Sequence, residues 1–375
     1  MRITTYLQPE RTYLPCTGVG KHINNILLNL SKRQGFDLSL LVAEEYLNAE
    51  LQLDPRTPLQ NFELRTYPYK KLLAERLWKF LDLPKMDKFI GETDCLYSPV
   101  AEYIPLDKNI PTIVTMHDMH TIEPDLPWSN SSSHKWQRLK TKIWIAKAIE
   151  KTSCICTVSN YSKQRIVELL NVKPEKISVV GNGVDTAFFE IAKIDKKYLQ
   201  APISEPYTIV IGGLRYKKGG YHVIEVAKEL ALRKSPLKIL IVGSSEPELV
   251  NIANTLDNIV LLGMVDDSQL PEFVRMASSL LFLSLYEGFG IPMLEAMAVG
   301  TPAVVSNKGA IPDVGSSAAI VVEPENAATI ADILINLDRD TQLHYQYEQL
   351  GRERADEFTW DRCVDRLVDV FHQYS

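Results

Sequence analysis

Long hydrophobic runs are missing from this 375-residue sequence. No stretch approaches the roughly 18 uninterrupted apolar residues of a bilayer-spanning helix, so no span is expected. Met1 to Glu10 carries no basic stretch followed by an apolar run and a small-residue cleavage site; it opens with the strand-like segment Ile3–Leu7, so no secretory leader is expected. Cysteine is scarce: Cys16, Cys95, Cys154, Cys156 and Cys363 are scattered and odd in number. Cys154 and Cys156 alternate along an apolar run, which would put both on one face of a strand. Buried thiols in a reducing, cytoplasmic setting are the expectation, not a metal or redox pair. There is no HExxH, no paired Cys/His ligand spacing, no low-complexity tract and no short repeat. A full GxGxxG with a downstream acid is also lacking, which speaks against a plain dinucleotide oxidoreductase. With a net charge of −6 and no visible nucleic-acid module, a nucleic-acid partner is not expected.

What is present is ordinary globular material in a regular rhythm. Hydrophobic residues make up 45% and charged residues 23% of a chain longer than one usual α/β core, so two domains are expected. Short apolar runs alternate with helical segments in both halves. In the first, Ile3–Leu7, Leu38–Val42, Thr112–Met116 and Cys154–Val158 read as strands, with helices over Val19–Leu30, Trp136–Glu150 and Lys163–Leu170. In the second, strands are expected at Tyr207–Ile211, Lys238–Val242, Ile259–Leu262, Ser279–Leu283 and Pro302–Val305, with helices between them. That alternation implies parallel sheets built from βαβ units. Phe188–Pro206, rich in Lys and Pro, reads as the linker. The expected division is residues 1–190, residues 191–358 and a terminal amphipathic helix over 359–375 carrying Trp360, Val364, Leu367, Val368 and Phe371.

Charge is uneven. Residues 1–190 hold 24 Lys+Arg against 22 Asp+Glu, and residues 191–375 hold 17 against 25. Two basic clusters stand out in the first half: Lys70, Lys71, Arg76 and Lys79, and Lys135, Arg138, Lys140 and Lys142. On helices such clusters make a solvated face. Interleaved with Leu72, Leu73, Leu77, Trp78 and Phe80, they also admit contact with a membrane surface.

The strongest chemical signal is Glu287–Gly–Phe–Gly–Ile–Pro–Met–Leu–Glu295, which follows the apolar strand ending at Leu283. Pro292 suits a first helical turn, and the glycines allow a sharp turn and close approach to a ligand. A helix starting near Ile291 offers a positive dipole end to a phosphate. Glu295, one turn in, could accept hydrogen bonds from a ribose diol. A surface helix with two unrelated glutamates is the bland alternative; the strand, glycine turn and following Ala–Met–Ala–Val–Gly–Thr–Pro argue against it. A second loop, Gly212–Gly–Leu–Arg–Tyr–Lys–Lys218–Gly219, ends one strand and precedes a helix while gathering three cations. Glycines permit approach, and Arg215, Lys217 and Lys218 could neutralise charge building on a departing diphosphate, where a solvated basic turn is the alternative.

The stretch from Ser284 to Ala310 resembles the signature region of retaining GT-B glycosyltransferases of family GT4, and the resemblance covers most of the chain, most strongly Tyr207 to Pro324. It implies a GT-B α/β fold: two Rossmann-like domains facing a central cleft, with the C-terminal helix crossing back to the first. It also implies donor contacts from the backbone at Phe289, Gly290 and Ile291 toward the sugar and at Met293 and Leu294 toward the phosphates, with Glu287 beside the sugar and Glu295 on the ribose. The family often has Arg directly after the first loop glycine; here Gly213 stands there, Lys218 matches the later Lys, and Arg215 or Lys217 supplies the missing cation. Thr17–Gly18–Val19–Gly20 resembles the glycine loop facing the donor, and His117–Asp118 the His-Asp pair bordering the sugar. Gly181–Asp185 resembles the close of the first domain, and Gly263–Met–Val265 would set backbone groups by the base.

The resemblance implies a hexosyltransferase acting in polysaccharide synthesis with retention. Its donor would be a nucleotide sugar, UDP-glucose favoured over GDP-mannose, and its acceptor a saccharide or lipid-linked saccharide. Catalysis is assigned to Glu287, His117 and Lys218, with no cofactor, no metal and no recruitment of Asp266–Asp267 as ligands. The expected position is cytoplasmic, and the basic clusters also admit a peripheral place at the inner membrane surface. The competing readings are an epimerase or phosphorylase on this fold, and a non-catalytic nucleotide-sugar-binding subunit.

Overall fold

The computed structural model describes every residue except 15, 16, 108, 125, 129–131 and 375; Cys16 therefore lies outside the described residues. The chain divides into two compact units, Met1–Asn182 together with the segment from Trp360 onward, and Gly183–Thr359.

In the first unit, seven strands form one parallel sheet: β1 (Arg2–Tyr6), β2 (Asp37–Ala43), β3 (Glu63–Tyr67), β4 (Cys95–Ser98), β5 (Thr112–Met116), β6 (Cys154–Thr157) and β7 (Ile177–Val179). Their spatial order is β3-β2-β1-β4-β5-β6-β7, with Ile3 opposite Leu38 on one side and Cys95 on the other. In the second, β8 (Tyr207–Ile211), β9 (Lys238–Val242), β10 (Ile259–Gly263), β11 (Ser279–Phe282), β12 (Ala303–Ser306) and β13 (Ala319–Val322) make a parallel sheet ordered β10-β9-β8-β11-β12-β13. Both are doubly wound sheets whose order reverses beside the unit's first strand, between β1 and β4 and between β8 and β11.

The strands are legible because they are buried on both faces. Lys-Ile-Leu-Ile-Val of β9 and Ser-Leu-Leu-Phe of β11 are near-continuous apolar runs, as a sheet covered by helices on each side requires. The second unit's core joins Val210, Ile239, Ile241, Leu281 and Val304 to the helices Gly220–Leu232 and Ala327–Arg339. The region read as a linker is structured instead. Its start is the helix Thr186–Ala192, which packs on the helices Leu270–Met276 and Ile291–Ala298, and Lys196–Tyr198 forms a 3-10 turn. The helix follows because Phe188 has a buried place in the second unit, which draws the division back to Asn182.

The helix Trp360–Tyr374 is the last piece of the first unit. Trp360, Cys363, Val364, Leu367, Val370 and Phe371 bury one stripe against Ile3, Ile26, Tyr97 and Ile113. Cys154 and Cys156 lie in this same cluster, so the alternation did put both on one face, and all four described cysteines are buried free thiols. Cys363 Sγ donates to the Gly181 carbonyl at 3.2 Å, and Arg366 Nη1 to that of Val180 at 3.2 Å. No helix among the described residues is long and apolar enough to cross a membrane.

Leu367→Ala removes a fully buried side chain from this stripe and is expected to lower unfolding free energy by about 2–5 kcal/mol in urea denaturation. Asp365→Ala, which loses only the Arg33 ion pair at a largely exposed site, should change it by less than about 1 kcal/mol.

Candidate functional site

In the second unit the site is built on backbone contacts that only glycine allows. After β8, the amides of Gly212 and Gly213 both donate to the Val242 carbonyl at 2.9 Å. Gly213 has φ +75°, and a Cβ there would lie 2.1 Å from the Ser244 carbonyl oxygen. The turns leaving β8 and β9 thus touch main chain to main chain. Gly219, at φ +74°, ends the 3-10 turn Tyr216–Lys218; a Cβ there would stand 2.1 Å from the Leu283 carbonyl. The Leu285 amide donates to the Lys217 carbonyl at 3.0 Å, so the loop after β8 is also stitched to the loop after β11. These loops flank the point where the sheet order reverses, the usual ligand crevice of such folds.

That stitching sets the key pair. Lys218 Nζ donates to Glu287 Oε1 at 2.5 Å, with the lysine side chain 35% exposed and the glutamate 17%. The lysine stem folds back over Gly212, near 3.9 Å from the place of a Cβ there. The backbone of Glu287 is fixed from its other side: Ala310 donates to its carbonyl at 2.9 Å, and Gly309, at φ +63°, sits too close to it for a Cβ. Arg215 Nη2 donates to Ser244 Oγ at 3.0 Å, and Arg215 and Lys217 are both exposed. A glycine-lined turn thus carries three cations with one carboxylate facing the innermost.

The helix Ile291–Ala298 begins where the sequence placed it, with Gly290 at φ +106° as N-cap and Pro292 in the first turn. Phe289, Ile291, Met293 and Leu294 point into the interior, and Phe289 meets Phe358 edge to face at 5.6 Å. Their side chains belong to the packing of this unit. Glu295, in the same helix, is 1% exposed. Gly263, at φ +74°, closes β10 and accepts from the Gly243 amide at 2.7 Å; Met264 beside it is exposed and Val265 half-buried. Asp266 accepts from the Ser268 amide and hydroxyl at 2.8 and 2.6 Å, and these bonds hold its carboxyl below the ordinary range.

In the first unit, Thr17 caps the helix Gly18–Leu30, its hydroxyl 3.5 Å from the Gly20 amide, with Gly18 exposed and Gly20 buried. This helix carries His22 edge-on to His117 at 4.7 Å between ring centroids. His117 follows β5, and its Nε2 lies 2.9 Å from the Pro99 carbonyl. A carbonyl only accepts, so Nε2 carries the proton and Nδ1 keeps its lone pair, the form that accepts a hydrogen bond from a hydroxyl. Burial lowers the His117 pKa and holds the ring in that neutral form. Asp118 turns to His120 instead, 2.5 Å from its Nδ1; burial alone would raise this carboxyl, but the His120 bonds keep it low.

Two family models match the chain: "Glycosyltransferase Family 4" over residues 17–188 and "Glycosyl transferases group 1" over residues 192–354. The chain belongs to the GT4-like glycosyltransferases. Among curated relatives it is 24% identical over 237 residues to O-antigen chain mannosyltransferase B of Escherichia coli, covering 60% of this chain and 62% of that protein. It is 23% identical to alpha-maltose-1-phosphate synthase of Mycobacterium tuberculosis over 95% of both chains. Among solved structures, sucrose-phosphate synthase from Thermosynechococcus elongatus superimposes with a TM-score of 0.76 at 17% identity, covering 100% of this chain and 98% of that one. Anabaena HepE, solved in complex with UDP-glucose, gives 0.69 at 16% identity over the whole of both chains. The fold of this glycosyltransferase is GT-B.

The sequence reading did not single out His22, Asn182 or His120. His22 is fully buried, its Nδ1 2.7 Å from Asn182 Oδ1. The signal was faint: a histidine on the apolar stripe of Ile23, Ile26 and Leu27 reads as core, and its partner is 160 residues away. Burial, aided by His117 and opposed by the Asn182 bond, pushes its pKa down to about 3. Because the folded pKa is depressed, this stability is fully present above the unfolded value near 6.5 and is lost as pH falls below it. The glycosyltransferase is expected to lose about 2 kcal/mol between pH 7.5 and pH 5 from His22, measured by urea unfolding. His22→Gln should flatten that slope; an unchanged slope would overturn the assignment.

Proposed function

We propose that this glycosyltransferase transfers a hexose from a nucleotide diphosphate sugar to a saccharide or lipid-linked saccharide, with retention at the anomeric carbon. The observation that carries the reading is the Lys218–Glu287 pair held by glycine-locked loops beside the Ile291–Ala298 helix. In this reading the donor diphosphate lies along the Gly212–Gly219 turn and the helix start. Lys218, with Arg215 or Lys217, neutralises the leaving phosphate, and main-chain groups of residues 289–294 bind sugar and phosphates. Glu287 orients Lys218 and binds sugar hydroxyls, and Glu295 takes the ribose. His117 Nδ1 accepts a hydrogen bond from a sugar hydroxyl.

The bond from C1 to the phosphate oxygen breaks with its electron pair going to the diphosphate. The acceptor oxygen attacks C1 from the same face, and its proton passes to the departing phosphate oxygen. With charge carried by these cations, no metal is assigned a part. UDP-glucose is the proposed donor, supported by the Anabaena relative of the same fold that was crystallised with UDP-glucose. GDP-mannose is the second reading, favoured by the E. coli mannosyltransferase relative.

Isothermal titration with UDP and with GDP, without added metal, tests this reading. Tighter UDP binding supports the proposed donor, tighter GDP binding moves it to mannose, and binding of neither overturns the site. Lys218→Ala should lower kcat about 10²–10³-fold with donor supplied at saturation. Glu287→Gln should impair turnover while free nucleotide still binds; full activity in that variant would remove Glu287 from the mechanism.

A further inference from the structure

The first unit exposes large apolar side chains in one place. Of the ten that its described residues leave exposed, eight lie on the helices Lys71–Leu81 and Ser132–Glu150 or directly after the former. Leu72, Leu73, Phe80 and Leu81 stand out from the first helix, Phe80 at 82% exposure, with Leu83 just beyond. Trp136, Leu139 and Ile143 follow one another at helical spacing along the second, Ile143 at 64%. A helix on a globular surface normally turns such residues inward and shows water its polar face. The two helices are neighbours: Lys147 Nζ donates to the Lys79 carbonyl at 2.9 Å, and Lys79 Nζ lies 3.7 Å from the Trp144 ring centroid.

The charge among these apolar groups is mainly positive, with Glu10 and Glu45 held against Lys71 at the start of the first helix. Lys70, Arg76, Lys135, Lys140 and Lys142 are exposed among them, and Lys140 Nζ sits 4.9 Å from the Trp136 ring centroid. Two of the acids of these elements are turned away or neutralised, while Glu150 is exposed. Glu75 is buried and accepts from Tyr6 and Gln8, and Asp82 is bound by Lys85 and Lys151. Glu150, at the end of the longer helix, is that helix's sole acid against five cations. In a chain of net charge −6 this surface is a local inversion of sign.

We propose that these two helices form a docking surface for an anionic lipid bilayer. Lysine and arginine would meet the headgroups while Phe80, Trp136 and Ile143 enter the interfacial layer. Charge selects this occupant over a second copy of the chain, since a two-fold pairing through the same patch would set cations against cations. The proposal rests on the first unit alone and stands apart from the transfer reading.

The test is co-sedimentation of the full chain with phosphatidylcholine vesicles, with and without phosphatidylglycerol, at about 50 and about 500 mM salt. Expected are at least about tenfold tighter binding to the phosphatidylglycerol vesicles and loss of that preference at high salt. Lys140→Glu with Lys142→Glu should cost about tenfold on anionic vesicles, and Phe80→Ser with Ile143→Ser about tenfold on either composition. All four positions are exposed, so folding is expected to be preserved, with thermal unfolding as the check. Failure to bind phosphatidylglycerol vesicles, indifference to both double variants, or a shift in the free protein's mass in the variants would overturn the proposal, the last pointing to self-association. UDP and GDP titration of the same preparations reads the second unit separately, so vesicle binding without nucleotide binding, or the reverse, tells the two readings apart.

Discussion

The second unit depends on one constraint: three loops at the carboxyl edge of its sheet approach so closely that main chain must touch main chain. Gly213 against Ser244 and Gly219 against Leu283 leave no room for a Cβ, and both need positive φ as well. Everything chemical in this unit follows from that contact. With the β8 loop pressed on the β9 turn and tied to Leu285, the stem of Lys218 lies over Gly212 and its Nζ ends on Glu287. Glu287 in turn is held by Ala310 from the β12 side. Four successive strands of the sheet thus fix a pair 69 residues apart in sequence.

In the proposed transfer that pair acts as preorganisation rather than as stabilisation. At partial exposure, an ion pair of this kind contributes roughly 0–1 kcal/mol to folding. Its value lies in holding a cation and a carboxylate at fixed places beside a helix start, within a unit whose overall charge is negative. The first unit fixes a side chain by a different device. A backbone carbonyl, that of Pro99, fixes which nitrogen of His117 keeps its proton, and burial keeps the ring neutral.

Much of this was legible in the sequence, and the rest was hidden for identifiable reasons. Apolar runs such as Lys238–Val242 and glycine turns such as Gly212–Gly213 announce themselves within a few residues, because burial on both faces and positive φ restrict which residues fit. The helix start at Gly290–Pro292 is legible on the same ground. β3 was missed because Glu-Leu-Arg-Thr-Tyr at a sheet edge is only partly buried and carries no clear alternation. Thr186–Ala192 was hidden by its lysine-rich neighbours, since its fate is decided by Phe188 finding a core contributed from far along the chain. The Lys218–Glu287 and His22–Asn182 pairs are properties of topology, and no local pattern encodes them.

The two units also differ in how they are closed. The second is one continuous stretch of chain, whereas the first is completed by a helix that follows it. Trp360 lies edge-on to His22 at 6.0 Å, Asn182 bonds that same ring, and Cys363 and Arg366 bind the main chain at Gly181 and Val180. His22 therefore rests on both points where the chain leaves and re-enters the first unit, and His117 rests on His22. The contacts at those two points span from somewhat under half of the sequence to most of it, and contacts of that span carry a loop-closure cost. The glycine contacts of the second unit, in turn, lie wholly within its own residues. The environment of His117, by contrast, is complete only with the terminal helix in place over the face of the sheet that holds Tyr97 and Cys156.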